Sequence, residues 1–234
     1  KQAFLDEELN KQINLTSANS INIARMLPQS IYYYYGWAQL QPEERKQVVV
    51  SVPSGNYGNL TAGLIAQKTG LPIHHFIASS NVNDTVPKYL ETGNYEAKAS
   101  ISTISNAMDV GDPSNFERML DLYSGSHQQM EQNISGFSYN DEETRTAIKK
   151  VYDKTGYILD PHGAVGYLGL NAYLENHPGT GIFLETAHPY KFKNTVEQQV
   201  SEELSPVLDF EDKEKKSVPF KNDFTALKEF LLNK

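Results

Sequence analysis

Two apolar runs, each followed by a segment of helical pattern, constrain the fold of this chain more than any other feature of its sequence. Gln47–Val52 reads Gln-Val-Val-Val-Ser-Val, a β-branched run typical of a strand that is buried on both faces. Leu60–Thr69 has a helical pattern that stops at a glycine, Pro72–Ala78 is a second apolar run, and Asn83–Thr92 predicts another helix. This alternation predicts an α/β fold, a three-layer sandwich in which helices cover a mainly parallel sheet.

The rest of the chain supplies further helices and one more strand. The pattern predicts a helix over Asn115–Tyr123, capped by Ser114 or Asp112, and a helix capped by Asn140 or Asp141 that runs through Lys154. Two further helices are predicted over Gly163–Glu175 and Pro189–Val200, and a buried strand over Gly181–Thr186. Two amphipathic helix candidates, Lys1–Asn14 and the aromatic Ser30–Leu40, precede the first strand. We expect the tyrosines of the second candidate to be divided between core and surface.

Composition excludes several classes of function. The chain has no cysteine, so disulfides, thiolate metal sites and cysteine nucleophiles are excluded. A net charge of −8 argues against a nucleic-acid partner. The sequence shows no signal peptide and no apolar run near the roughly 18 residues that a membrane span needs, so a cytoplasmic location without a membrane partner is expected. His74 and His75 have no acidic partner at the spacing of a metal site, so no metal is expected.

The loop Ser54–Asn59, between the first predicted strand and helix, is a candidate phosphate site. Its glycines, Gly55 and Gly58, can take positive φ and let the backbone approach a ligand closely. Consecutive N–H groups would then converge at the positive end of the next helix dipole, while Asn56 and Asn59 add side-chain donors or hold the turn. A purely structural tight turn explains the same pattern equally well, because the loop lacks the residues of a P-loop or a Rossmann fingerprint.

Five segments, in family order over about residues 16 to 195, resemble motifs of threonine synthases. In chain order, the first two are Asn19-Ser-Ile-Asn-Ile-Ala-Arg and the loop in Val-Pro-Ser-Gly-Asn-Tyr-Gly-Asn-Leu-Thr-Ala-Gly. The other three are Asn81-Val-Asn-Asp-Thr-Val-Pro, Ser105-Asn-Ala-Met-Asp-Val-Gly-Asp-Pro-Ser-Asn-Phe-Glu-Arg and Glu185-Thr-Ala-His-Pro-Tyr-Lys-Phe. The resemblance implies a fold type II pyridoxal-phosphate enzyme that converts O-phospho-L-homoserine and water to L-threonine and phosphate. The cofactor, pyridoxal 5′-phosphate, would store the electrons of the substrate carbanion.

The resemblance also assigns site residues. The cofactor phosphate would be held by the loop, Gly55, Asn56, Tyr57, Gly58 and Asn59, and the pyridine nitrogen would meet the hydroxyl of Thr186. The substrate phosphate would be bound by Asn19, Ser20 and Arg25, an arginine fork with two neutral donors. Tyr57 stands where the family commonly has phenylalanine.

Structural roles explain several of these residues without the resemblance. Thr186 can cap a following helix, Arg25 can pair with Asp6 or Glu7, and Asn19 with Ser20 can form an N-cap pair. His162 and His188 each adjoin a proline, and we expect both to be structural rather than general bases.

The Schiff-base lysine of the family has no counterpart motif in this sequence. We therefore expect a partial chain, with residues 1–28 ending the smaller domain, residues 29–234 forming the C-terminal part of the large domain, and the lysine upstream of Lys1. Such a chain would be inactive alone. Two other interpretations stay open: another β-family enzyme, such as a threonine dehydratase or tryptophan synthase β chain, and a non-catalytic phosphate-binding domain.

Overall fold

A computed structural model describes residues 2–20, 22–206 and 214–233. Its helices are α1 (Gln2–Leu5), α2 (Glu7–Gln12), α3 (Met26–Gln39), α4 (Gly58–Lys68), α5 (Thr85–Thr92), α6 (Phe116–Leu122), α7 (His127–Asn133), α8 (Asp141–Thr155), α9 (Pro161–Leu174), α10 (Lys193–Val196) and α11 (Phe224–Leu232). The strands are β1 (Val48–Pro53), β2 (His75–Ser80), β3 (Ile134–Ser138) and β4 (Thr180–Phe183). Short 3₁₀ turns lie at Ile23–Arg25, Pro42–Lys46, Asn106–Met108 and Pro189–Phe192.

The sheet is parallel, as the alternation predicted. Its strands lie in the order β3-β2-β1-β4, and each neighbouring pair runs in the same direction. All six residues of β1 are buried, which explains why this strand reads as an unbroken β-branched run rather than an alternating one.

Helices cover both faces of the sheet. Val48, Val50 and Val52 belong to a core with residues of α3 and α4, whereas Val49 packs on the opposite face with Leu170 of α9. The hydroxyl of Ser51 also points to α9, where it donates a 2.7 Å hydrogen bond to the carbonyl of Gly166. The predicted three-layer α/β sandwich is confirmed.

Local sequence signals predicted both ends of helix α8 correctly. Asn140 is its N-cap, and Asn140 and Glu143 form a reciprocal capping box. Gly156 ends the helix in the left-handed region, with φ of 72°, as a C′ glycine does.

Four expectations about secondary structure were wrong. The region Lys1–Asn14 contains two short helices rather than one, and Pro189–Val200 contains a 3₁₀ turn and one turn of α-helix. The N-cap of α6 is Asn115, not Ser114 or Asp112. Finally, Gly181–Thr186 is not a buried strand throughout, since β4 ends at Phe183 and is partly exposed at the sheet edge.

The aromatic helix α3 divides its tyrosines as expected. Tyr33 is buried against the face of the sheet that α4 covers, in edge-to-face contact with Phe76. Tyr32, Tyr34 and Tyr35 are exposed, because consecutive helical positions point in directions about 100° apart and cannot share one face.

Candidate functional site

The candidate residues gather around one cavity of about 660 Å³ at the carboxyl edge of the sheet. It is lined by Arg25, Gln29, Tyr32, Pro53, Gly55, Asn59, Ala107, Met108, His162, Leu184, Glu185 and Thr186. Pro53 ends β1, and Leu184 follows directly after β4. Ligands of open α/β sheets bind outside the carboxyl ends of the strands, and this cavity has that position.

The loop after β1 folds differently from the expectation. Tyr57, not Gly55 or Gly58, takes the left-handed conformation, with φ of 59°. Gly55 is required for a different reason: a Cβ there would lie 2.5 Å from Cα of Met108. Gly58 is the first residue of α4, so it already has helical backbone geometry. The loop therefore needs one glycine for close packing of two backbones, and a buried tyrosine makes the sharp turn.

The start of α4 offers the donors that a phosphate dianion requires. Its N-cap residue, Tyr57, makes no side-chain hydrogen bond to the first turn. Among the described residues, no acceptor is paired with the backbone N–H groups of residues 55–60. A helix amino terminus with free N–H groups and a positive dipole end suits a phosphate, so the loop fits the phosphate of the implied cofactor.

The side chain of Asn56 holds the loop to two other segments. Its Nδ2 donates to Ser20 Oγ at 2.7 Å, and its Oδ1 accepts from the backbone N–H of Ser114 at 2.7 Å. The Asn56 carbonyl accepts from Asn115 Nδ2 at 2.8 Å. Asn56 thus shapes the site with its side chain, which leaves its backbone N–H for a ligand.

The side chains of Asn59 and Tyr57 in the loop are also engaged. Asn59 accepts from the hydroxyl of Tyr33 through both its carbonyl, at 2.8 Å, and its Oδ1, at 2.9 Å. The Tyr57 hydroxyl lies 2.6 Å from Ser80 Oγ, and Ser80 donates in turn to the carbonyl of Ser54 at 3.3 Å. The hydroxyl that distinguishes Tyr57 from phenylalanine therefore closes a buried chain of hydrogen bonds.

The structure brings the Asn19–Arg25 segment to the loop. Arg25 lines the cavity, and its guanidinium donates to the carbonyl of Ala18. Ser20 contacts the loop through Asn56, and Arg118 donates to its carbonyl at 2.9 Å. Asn19 belongs to the same turn, in which its carbonyl accepts from the N–H of Asn22 at 3.1 Å. The cavity lining includes neither Asn19 nor Ser20.

The structure does not show the purely structural roles considered above for Arg25, Asn19 and Ser20. Asp6 pairs with Lys228 at 2.9 Å, and Glu7 with Lys11 at 3.7 Å, rather than with Arg25. The 3₁₀ turn that follows Asn19 and Ser20 is capped by Asn22.

Thr186 is exposed at the cavity and does not cap a helix. The next helical turn begins at Pro189 and is capped by His188, whose Nδ1 accepts from the N–H of Tyr190 at 3.2 Å. In the described part of the chain no hydrogen bond involves the Thr186 hydroxyl, which is therefore available to a ligand.

Sequence reasoning missed one cluster at the cavity. His162 is buried with both ring nitrogens engaged: Nδ1 lies 2.7 Å from Asp160 Oδ1, and Nε2 accepts from the N–H of Ala107 at 3.2 Å. Asp160 caps α9, and Glu185 approaches it from the segment after β4. His162 is thus held by groups of this chain and His188 caps a turn, while their structural rather than catalytic role stays a prediction. The sequence Asp-Pro-His indicates that Asp160 caps α9, but no local sequence pattern indicates that Glu185 lies next to Asp160.

Comparison with known proteins shows the same architecture. Residues 5–182 match the family model described as pyridoxal-phosphate dependent enzyme. The chain belongs to the pyridoxal-phosphate dependent enzyme family. Residues 163–231 also match the model for the C-terminal region of threonine synthase.

Individual family members are close in sequence and structure. The chain is 48% identical to a threonine synthase of Haemophilus influenzae, over 99% of this chain and 55% of that protein. The crystal structure of Escherichia coli threonine synthase superposes with a TM-score of 0.88 at 44% identity, over 99% of this chain and 54% of that one. A pyridoxal-phosphate-bound threonine synthase of Brucella melitensis gives a TM-score of 0.84 at 29% identity, over 99% and 55% of the two chains. The fold is that of fold type II family members, and the chain spans about half the length of these relatives.

The structure also bears on metal binding and on membrane insertion. Among the described residues, no group of three or more His, Asp or Glu side chains is arranged to hold a metal ion. Within the same ranges, no helix is both long and apolar enough to cross a bilayer.

Proposed function

We propose that this chain is the C-terminal portion of a threonine synthase that converts O-phospho-L-homoserine and water to L-threonine and phosphate. The observation that carries the proposal is the cavity that joins Arg25, the loop at Gly55 and the hydroxyl of Thr186. Such a cavity offers two anion-binding elements and one neutral hydroxyl, which matches a substrate and a cofactor that each carry a phosphate. The names of the relatives support the same reaction.

The residues present fit pyridoxal 5′-phosphate. The backbone N–H groups of Gly55, Asn56, Tyr57, Gly58 and Asn59 would hold its phosphate, and the free hydroxyl of Thr186 would meet its pyridine nitrogen. When bound, the cofactor supplies an electron sink for carbanion chemistry. A neutral hydroxyl at the nitrogen would leave that atom unprotonated, whereas an aspartate would keep it protonated.

Arg25 is proposed to bind the phosphate of the substrate together with Ser20 and Asn19. A guanidinium provides charge-assisted, two-pronged hydrogen bonds to phosphate oxygens. Ser20 is held next to the cofactor loop by its 2.7 Å contact with Asn56, so the two proposed phosphate-binding elements lie side by side.

The lysine that would hold the cofactor aldehyde is proposed to come from outside these 234 residues. No lysine is among the cavity-lining residues within the described ranges. The division into residues 1–28 and 29–234 and a cytoplasmic location stay predictions.

The test is an assay of the protein expressed from its complete gene. With pyridoxal phosphate and O-phospho-L-homoserine, we expect threonine and phosphate in equal amounts, and we expect none from the 234-residue chain alone. Arg25→Ala should raise the KM for phosphohomoserine by about 10- to 100-fold, the loss expected for hydrogen bonds to a charged group.

A matched control variant accompanies this assay, and two other outcomes would favour the alternative interpretations. Arg145→Ala, on α8 and outside the cavity lining, should leave the KM unchanged. If the wild-type protein deaminates threonine or serine instead, and Arg25→Ala has no effect, the dehydratase interpretation replaces this one. No Schiff-base absorbance on adding pyridoxal phosphate would favour a non-catalytic phosphate-binding domain.

A further inference from the structure

The buried carboxyl groups of Asp160 and Glu185 meet beside the cavity, which Glu185 lines. Asp160 precedes α9 and is fully buried, and its Oδ1 accepts from the backbone N–H of His162 at 2.8 Å and faces the His162 ring. Asp160 Oδ2 and both carboxyl oxygens of Glu185 are also buried, and within the described residues none has a donor. Three acceptor atoms without a donor are a costly arrangement unless a proton lies among them.

A glycine in the first turn of α9 leaves space for the Glu185 carboxyl. A Cβ on Gly163 would lie closer than 3.0 Å to both oxygens and to the carboxyl carbon of Glu185. Gly163 is the third residue of α9, and its missing side chain leaves the space that this carboxyl fills. The close approach of this carboxyl to the helix therefore depends on the missing side chain of Gly163.

The charges around the pair indicate which carboxyl holds the proton. Burial, followed by the hydrogen bond and charge of Asp160, raises the pKa of Glu185 far above its ordinary value. Burial also pushes the pKa of Asp160 upward, but hydrogen bonds from His162 and Glu185 outweigh it and keep that pKa below its ordinary value. Tyr157 is a further titratable neighbour, and burial together with the charge of Asp160 raises its pKa.

We propose that Glu185 is a positioning residue whose protonated carboxyl donates a hydrogen bond to Asp160 and so fixes the adjacent Thr186 against the amino end of α9. The connection continues from Asp160 through His162 to the N–H of Ala107, beside the Met108 backbone that packs on Gly55. One chain of contacts thus links the segment proposed to meet the cofactor ring to the loop proposed to hold its phosphate. The role at the cofactor rests on the proposed function, whereas the hydrogen bond itself does not.

The contact of the Glu185 carboxyl with the amino end of α9 is tested first by unfolding of the cofactor-free protein at pH 5.5. Gly163→Ala should lower the midpoint by about 2 to 10 °C, because the methyl group collides with the carboxyl. In the Glu185→Ala background the same change should leave the midpoint equal or raise it, because the space is open and alanine is the better helix residue. Equal losses in both backgrounds would overturn the contact.

Positioning is tested by the affinity for pyridoxal phosphate in the protein from the complete gene. Glu185→Gln keeps a neutral donor of the same shape, so its Kd should stay within about twofold of wild type. Glu185→Ala should weaken binding at least about fivefold, and Glu96→Ala, which removes an exposed carboxyl, should not change it.

Two results would contradict the positioning role: a Glu185→Gln variant as weak as Glu185→Ala, or a Glu185→Ala variant with wild-type affinity. Failure of the proposed function is distinguishable from both. A wild-type protein that binds the cofactor but forms no threonine would reject the reaction, while the unfolding and affinity results would still decide the role of Glu185.

Discussion

The side-chain amide of Asn56 donates a 2.7 Å hydrogen bond to the hydroxyl of Ser20, which lies 36 residues earlier in the chain. This contact joins the proposed substrate-phosphate segment to the proposed cofactor-phosphate loop. Ser114, from a third segment, donates to the other side of the same amide through its N–H and its hydroxyl. Asn56 therefore holds three segments in one geometry with its side chain.

We expect Asn56→Ala and Ser20→Ala to be coupled. Each removes one partner of the same hydrogen bond, so the double variant should lose less stability than the sum of the single ones, by about 0.5–1.5 kcal/mol. Urea unfolding of the four proteins measures this difference. Asn171→Ala, which removes an amide bonded only within its own helix, should combine additively with Ser20→Ala. Additive losses for Asn56 and Ser20 would show that the contact contributes nothing.

Gly55→Ala should lower the free energy of unfolding by about 1–3 kcal/mol, because its methyl group would overlap the Met108 backbone. The same change should weaken binding of pyridoxal phosphate, since the loop must move to make room. Gly36→Ala is the control: the nearest atom to its added Cβ is 3.9 Å away, and it lies within α3. That variant should gain about 0.5–1 kcal/mol. Equal effects at both glycines would refute the packing argument.

Tyr57→Phe should cost about 1 kcal/mol of stability, because it removes the buried hydroxyl 2.6 Å from Ser80 Oγ. The aromatic ring and the left-handed backbone stay the same, so the affinity for pyridoxal phosphate should change less than twofold. Thermal unfolding and a cofactor titration measure the two quantities. Tyr35→Phe removes an exposed hydroxyl and should be neutral for both. A large loss of affinity in Tyr57→Phe would instead point to a direct contact between the hydroxyl and a ligand.

His75 should make the fold sensitive to acid. Burial, with smaller effects of the charges of His74 and His177, lowers the pKa of His75 from 6.5 to about 4. Between these values the unfolded chain binds a proton that the folded protein does not, so stability is lost as the pH falls through this window. The slope can reach about 1.4 kcal/mol per pH unit.

A substitution at His75 isolates this effect. His75→Phe keeps an aromatic ring against Tyr173, which now stacks on the imidazole at 4.7 Å, and removes the titrating group. The free energy of unfolding of this variant should depend less on pH between 6.5 and 4 than that of wild type. His188→Gln, at an exposed histidine, is the control and should keep the wild-type slope. An unchanged slope in His75→Phe would assign the acid sensitivity to other groups.

Local patterns predicted much of the fold. The β-branched run in Gln47–Val52 and the cap and glycine signals of α8 act through neighbouring residues, so they can be recognised without knowing what packs against them. The strand Ile134–Ser138 was missed because it is short, with two serines and a glycine, and pairing with β2 rather than its own pattern makes it a strand.

The sequence by itself determined the parallel α/β arrangement and the order of the segments that resemble the family. Only the tertiary structure decided how the site is built: that Tyr57 rather than a glycine makes the left-handed turn, that Asn56 holds Ser20, and that Glu185 meets Asp160. The physical reason is the range of the interactions. Strand and helix signals act over a few residues, whereas each of these contacts depends on backbone segments brought together by packing of the core.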